Sequence, residues 1–307
     1  MKNFAHFQQL SLFIILLLAC SSATNHASEN DSKAVVSERF KSYWMSGQAE
    51  LSSYHLKQAR YGELHEGSAV LIYVTEDFSK SKQVKLDDPG RNASDAEKVL
   101  KLNFTKKFNT GLYPYSMMQS VFSPLAVPQQ HALKVATSSQ EWCGQTFTQL
   151  NALNGGYDVQ LRSYFESEGD QNYTLNEQLL EDEIWNWIRL NPSALPLGKQ
   201  KMVRGTFSAR LRHLPLRAEE VEIELTKADG EVSYQLLYPK DKRTLIIRFE
   251  EAFPHRILGW KETYVSGWGK SAQQLTTTAT LNKRMKIDYW TRNKVSDAYL
   301  RDSLGLK

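Results

Sequence analysis

Apolar positions along this chain recur at two spacings. Over long stretches the spacing is two. Leu100, Leu102 and Phe104 alternate with Lys101, Asn103 and Thr105. Tyr157, Val159 and Leu161 alternate with Asp158, Gln160 and Arg162, and Met285, Ile287 and Tyr289 repeat the pattern near the C-terminus. Such alternation predicts strands with one polar face, which pair antiparallel more readily than in βαβ units. Ala69 to Val74 and Leu245 to Ile247 are unbroken apolar runs, and the first predicts a strand covered on both faces. Turn signals fall at Glu66-Gly67, Asp88-Pro89-Gly90, Asn154-Gly155-Gly156 and Asp229-Gly230.

Helical spacing occurs twice in the body. Val35, Val36, Phe40, Tyr43 and Trp44 predict a short helix near 35–45. Leu179, Leu180, Ile184, Trp187 and Ile188 predict a second over 177–190. Thr174 and Glu177 stand as a capping box before it, and Asn191-Pro192 ends it. The fold class expected is therefore mainly β (α+β): a large antiparallel sheet able to curl into a half-barrel, with an N-terminal helix and one interior helix. Two prolines and a glycine in 192–198 mark either a boundary between halves or a loop within one sheet.

A third apolar pattern stands at the start. Leu10 to Ala19 is almost wholly apolar, follows a start with one positive charge at Lys2, and ends at Cys20. It is shorter than the ~20 residues needed to span a bilayer and has the form of a secretory signal peptide. Leu17-Leu18-Ala19-Cys20 resembles the lipobox of bacterial lipoproteins. That resemblance implies cleavage before Cys20 and lipid on its thiol. The expected organisation is a signal peptide over 1–19, a flexible tether over 20–33 and a β-rich domain over 34–307. Ser21, in place of Asp, resembles the signal for transfer to the outer membrane, facing the periplasm.

Composition narrows the classes. A hydrophobic content of 41% suffices for a sizeable core, and a net charge of +4 over 307 residues, with both signs interspersed, gives no footprint for nucleic acid. With Cys20 lipidated, Cys143 is the sole remaining thiol, so no internal disulfide is expected.

Candidate chemistry is sparse. Cys143, in Trp142-Cys143-Gly144-Gln145, is the one thiol nucleophile on offer. It would need a base such as His131, His213 or His255, and no local signature ties them together. A small buried structural thiol is the simpler expectation. His55 and His65 lack metal-ligand spacing. Glu181-Asp182-Glu183, with Glu166 and Glu168 before it, offers paired carboxylates; acids in a helix's first turn also complement its dipole and face water, which is the reading expected here. No phosphate-binding loop or serine-nucleophile motif occurs. Tyr113-Pro114-Tyr115, Met117-Met118, Trp185 and Trp187 belong to a core or line an apolar cavity. No catalytic, cofactor or metal residue is assigned.

Five strings are similar to one known group: Tyr61-Gly62-Glu63-Leu64, Val74 to Ser79, Leu102 to Gly111, Tyr113 to Met118, and Glu141 to Gln145. They resemble uncharacterised envelope lipoproteins of Gram-negative, Bacteroidetes-type bacteria, over most of the chain from about Phe40. Some members carry a septum-formation-inhibitor label, which implies a nucleotide pyrophosphatase with a Ser-x-Ser-Pro-Arg-Arg loop. Ser123-Pro124 lacks the arginine pair, so the label does not transfer. The resemblance implies an envelope lipoprotein and supplies no catalytic residues. Three readings follow, in order: a lipid-tethered binding or carrier module for an apolar or envelope ligand, an accessory subunit docking an envelope protein, and a Cys143-dependent enzyme. The helix-first, strand-rich order looks somewhat like lipoprotein-carrier half-barrels.

Overall fold

The computed structural model describes residues 38–125, 130–153 and 155–306. Residues 1–37 lie outside these, and with them the expected signal peptide, Cys20, the tether and the start of the first helix.

Helix α1 (Glu38–Trp44) leads into a long meander: β1 (Ala49–Arg60), β2 (Glu63–Ser79), the short β3 (Val84–Lys85), β4 (Ala96–Thr110), β5 (Tyr113–Pro124), β6 (Lys134–Glu141), β7 (Gly144–Leu153), β8 (Gly156–Ser163) and β9 (Gln171–Asn176). Then come β10 (Leu179–Leu180), α2 (Glu181–Leu190), β11 (Gly198–Val203) and α3 (Thr206–Arg212). The return meander is β12 (Ala218–Ala228), β13 (Glu231–Tyr238), β14 (Arg243–Glu250), β15 (Ile257–Ser266) and β16 (Gln273–Ile287), followed by α4 (Tyr299–Ser303).

All strands belong to one sheet in the order β10-β11-β12-β13-β14-β15-β16-β1-β2-β4-β5-β6-β7-β8-β9, with β3 paired to β2 outside that path. Because β16 pairs with β1, the segment 192–198 is a loop within one sheet. Every ladder is antiparallel except β10 with β11. The expected fold class is thus the observed one. The order ends at β9 and β10, yet only Glu177 and Gln178 separate them in the chain. Three residue steps reach at most ~11 Å, so the sheet curls until its ends approach, without a ladder between them.

The curl has an inside and an outside. Inward residues such as Tyr54, Leu56, Leu71, Tyr73, Leu102 and Phe104 join the main core. On the outside, Ala49, Leu51, Val70 and Val74 are covered by Leu304, with Tyr289 and Leu306 beside it. This second cover explains the unbroken 69–74 run: the C-terminal segment shields the convex face of β1 and β2.

Inside the curl lies α2, in which only Leu190 is incompletely buried. It begins later than the sequence suggested. Thr174 lies in β9, and Leu179 and Leu180 form β10. The working cap is Leu180, whose backbone N–H donates to Glu183 Oε1 at 3.0 Å. Pairing of Leu179 and Leu180 with Met202 and Val203 outcompetes a further helical turn. A second interior helix, α3, was not foreseen; its first six residues are buried. Glu66-Gly67 is not a turn but lies in β2, where a Cβ on Gly67 would clash with the Lys107 carbonyl oxygen and Phe108. Glycine there permits close strand approach. Tyr289 falls in a 3₁₀ turn just past β16. Asp229-Gly230 is a turn as expected, with φ of 52° and 78°, suited to a two-residue hairpin.

Candidate functional site

Helix α2 is polar along its sequence yet enclosed, so its polar groups require partners inside the protein. Asn186 Nδ2 donates to the Leu100 carbonyl and to Ser123 Oγ, both at 3.0 Å. At the C-terminal end, Arg189 grips Glu50 of β1 through two bonds of 2.7 and 2.8 Å, and its Nε donates to the Pro254 carbonyl at 2.9 Å. The guanidinium also lies 4.5 Å from the Tyr73 ring centroid. Burial is the largest influence and acts to raise the Glu50 carboxyl. The Arg189 charge and the hydrogen bonds from Arg189 and Tyr43 together outweigh it and hold the pKa below the usual range.

The acidic cluster at the N-terminal end does not face water. All three side chains are buried, and each finds its partners on a different segment: Glu181 on the return strands, Asp182 on α3 and Glu183 just before β6. Glu181 accepts two bonds from Arg243 of β14, at 2.5 and 2.7 Å, and a third from the Tyr238 hydroxyl at 2.7 Å. Arg243 Nε donates to Glu262 of β15 at 2.7 Å, which makes a buried Glu–Arg–Glu chain. Glu183 accepts from the Ala132 backbone at 2.7 Å and pairs with His131 Nδ1 at 2.8 Å. That bond raises the His131 pKa against the opposing effect of burial.

Asp182 differs from its neighbours. It accepts from the Thr206 N–H at 3.1 and 3.2 Å and has no ion pair among the described residues. Burial first, and the adjacent Glu181 charge second, push its pKa up to about 7. Across from it stands Lys106 of β4, 3% exposed. Among the described residues its ammonium donates to Gln58 Oε1 at 3.4 Å, and it lies 5.2 Å from the Phe207 ring centroid. Burial lowers its pKa, partly offset by Glu262 and Glu181. Lys106, Asp182, Glu262, Gln119 and Ser208 line a chamber of about 30 Å³ walled by Phe104, Trp185, Phe207 and Trp260. That volume holds ~1–2 water molecules and no larger substrate. The carboxyls and Lys106 are suited to moving a proton, but the chamber has no room for a reacting molecule.

A roomier cavity of about 280 Å³ lies on the other side of α3, against the concave face of β7, β8 and β9. Leu161, Tyr173, Leu214 and Leu216 give it apolar lining, interrupted by Thr148, Gln171 and Thr206, and Glu168, Arg210 and His213 supply its charged groups. His213 caps α3 in the left-handed conformation (φ 53°), and its Nδ1 meets Glu168 Oε1 at 2.6 Å. Arg210 packs 4.4 Å from the Phe165 ring centroid and 3.7 Å from Glu168.

Cys143 is not a buried thiol. It is exposed on the two-residue turn between β6 and β7, where antiparallel pairing of Glu141 with Gly144 places it at the tip. Its N–H donates to Glu141 Oε2 at 2.7 Å, and a hydrogen bond from the thiol to Glu141 raises the pKa, which disfavours the thiolate. Among the three candidate bases, His131 is engaged with Glu183, His213 with Glu168, and His255 Nδ1 lies 3.4 Å from the Glu250 carbonyl. Among the described residues no group of three or more His, Cys, Asp or Glu stands together as a metal site. Tyr115, Met117, Trp185 and Trp187 join the core, whereas Met118 is exposed.

Compared with protein-family models, with curated proteins and with solved structures, the chain matches none.

Proposed function

We propose that this protein is a bacterial envelope lipoprotein, anchored through Cys20, whose body binds or carries a small ligand with an apolar part. The observation that carries the reading is the cavity between α3 and the β7–β9 edge. Its apolar lining and its charged groups suit an amphiphile, with the chain against Leu161 and Leu216 and the head near His213 and Arg210. At about 280 Å³ it is near the lower bound of ordinary small-molecule sites, ~300 Å³. The interior of the curl is filled by the buried α2, so a ligand would sit beside the helices. A rigid body of this kind, tethered by lipid near a membrane, suits holding or handing on an envelope amphiphile.

The test is binding of a fluorescent fatty acid to the wild-type chain and to Leu161→Trp, which fills the cavity from β8. Saturable binding that weakens at least ~10-fold in the variant, with an unchanged unfolding midpoint, is the expected result. Equal binding by both chains would remove the cavity from the account. Mass analysis of the mature N-terminus checks the anchor separately, with acylated Cys20 expected and an unmodified start elsewhere contradicting it.

The free edge of β9 favours a second reading, an accessory protein partner. Gln171, Asn172, Thr174 and Asn176 are exposed along it, and an unpaired edge can accept another strand.

A further inference from the structure

The meander places the β1–β2, β4–β5, β6–β7, β8–β9 and β15–β16 connections at one end of the curled sheet. Four of these tips carry a large, strongly exposed apolar or aromatic side chain: Leu112 at 83%, Trp142 at 68%, Tyr164 at 75% and Trp268 at 60%. The tips are tied to one another. On the β1–β2 turn, Tyr61 lies 5.5 Å from the Trp268 ring centroid, and its hydroxyl meets that of Tyr113 at 3.0 Å. Gly144 lies so close under Tyr164 that a Cβ would stand 2.6 Å from that ring.

We infer that this aromatic rim docks into the headgroup layer of a lipid bilayer. Tryptophan and tyrosine favour the membrane–water interface, because each combines an apolar ring with a polar handle. The side chains stand on separate hairpin tips with polar backbone between them, which fits an interface of mixed polarity better than the flat apolar patch of a protein contact. Lys240 and Lys242 are exposed on the β13–β14 turn and Lys270 on the β15–β16 connection at the same end, Lys240 being paired with Glu220, while Glu166 and Asp170 are exposed on the β8–β9 connection. Charge is therefore near balance, and the rings rather than the charges select the surface. The inference rests on the proposed anchor only for proximity. Cys20 lies 18 residues before Glu38, which reaches at most ~60 Å, whereas β1 rises only ~40 Å over its length. A chain tethered before α1 can thus set the far end of its sheet on the same bilayer. Tethering also raises the effective concentration of the rim at that surface, so weak insertion suffices.

The test uses the full lipidated chain in vesicles of phosphatidylethanolamine and phosphatidylglycerol, with lipids brominated near the headgroup. Tryptophan quenching reports contact and vesicle flotation reports the anchor. Trp44, Trp185, Trp187 and Trp260 are buried, so quenching comes from Trp142, Trp268 or the exposed Trp290 of the C-terminal segment. The expected result is quenching that is lost in the Trp142→Phe, Trp268→Phe double variant and kept in Trp290→Phe. In a second arm, co-sedimentation of the Cys20→Ser chain with the same vesicles falls several-fold on Leu112→Asp. Quenching without flotation would sink the anchor and leave the rim standing. Flotation with no quenching of Trp142 and Trp268 would overturn the rim, as would quenching confined to Trp290.

Discussion

Replacing Arg243 by Met should destabilise the protein by about 3–5 kcal/mol, the usual cost of breaking a buried ion pair from one side. For a body of this size that corresponds to a fall in unfolding midpoint on the order of 10 °C. The reason is local. Arg243 is 2% exposed and holds both Glu181 and Glu262, themselves almost fully buried. Methionine fills much of the same space but leaves two buried carboxylates without the guanidinium that bonds both, with the Lys106 charge nearby but more distant. Burial is the largest influence and acts to raise the Glu262 carboxyl, and the Arg243 charge and hydrogen bond, with the Lys106 and Arg212 charges, together hold the pKa low. The variant should therefore take up protons near neutral pH. Scanning calorimetry at pH 7 measures the effect. Replacing all three residues with apolar side chains of similar volume should recover much of the loss, because a satisfied buried ion pair adds little over good packing. A midpoint unchanged in Arg243→Met would mean that the return strands do not hold α2 through this chain of charges.

Asp182→Asn should do the opposite. The folded-state pKa of Asp182 is raised from 3.8 to about 7. Between those values the folded protein keeps a proton that the unfolded chain releases, so the contribution of Asp182 to stability falls as pH rises and is fully lost above about 7. A shift of that size corresponds to about 4 kcal/mol, as an order of magnitude. Asparagine can still accept from the Thr206 N–H and carries no charge. The variant should be more stable than wild type at pH 8 by a few kcal/mol, with the difference closing towards pH 4. Glu50 and Glu262 work in the other sense. Their depressed pKa values give stability that is present above about 4.5 and lost as pH falls through the folded values. Denaturant midpoints of both proteins from pH 4 to 8 separate the two effects. A difference independent of pH would show that Asp182 is not protonated in the folded state near neutrality.

The strand architecture was legible because alternation is a local signal. Leu100, Leu102 and Phe104 do point inward, as their period implied. The polar interior was legible by the same rule carried further. Lys106 continues that inward row between Phe104 and Phe108, Arg243 begins the row of Leu245, Ile247 and Phe249, and Glu262 stands between Trp260 and Tyr264. A charged residue at inward parity is the signal for a buried pair. The start of α2 was harder to place, because Thr174 and Glu177 form a good capping box locally. The pairing that overrides it joins Leu179 and Leu180 to strand residues more than twenty positions later. Burial of Glu181 to Glu183 depends likewise on partners from the segment before β6, from α3 and from β13 and β14, which no local pattern specifies. Residue type alone predicts a buried Cys143, whereas pairing of Glu141 with Gly144 makes its segment a hairpin tip. The cavity behind α3 combines residues from 148 to 216 and carries no local signature.

Native mass spectrometry of the protein taken from its own membrane tests the ligand-binding claim most directly. The account predicts a mass above that of the acylated chain, released on gentle activation as one small amphiphile, and absent from Leu161→Trp purified in the same way. A folded wild-type protein that leaves its membrane at the mass of the acylated chain alone, under conditions that preserve weak complexes, would contradict it.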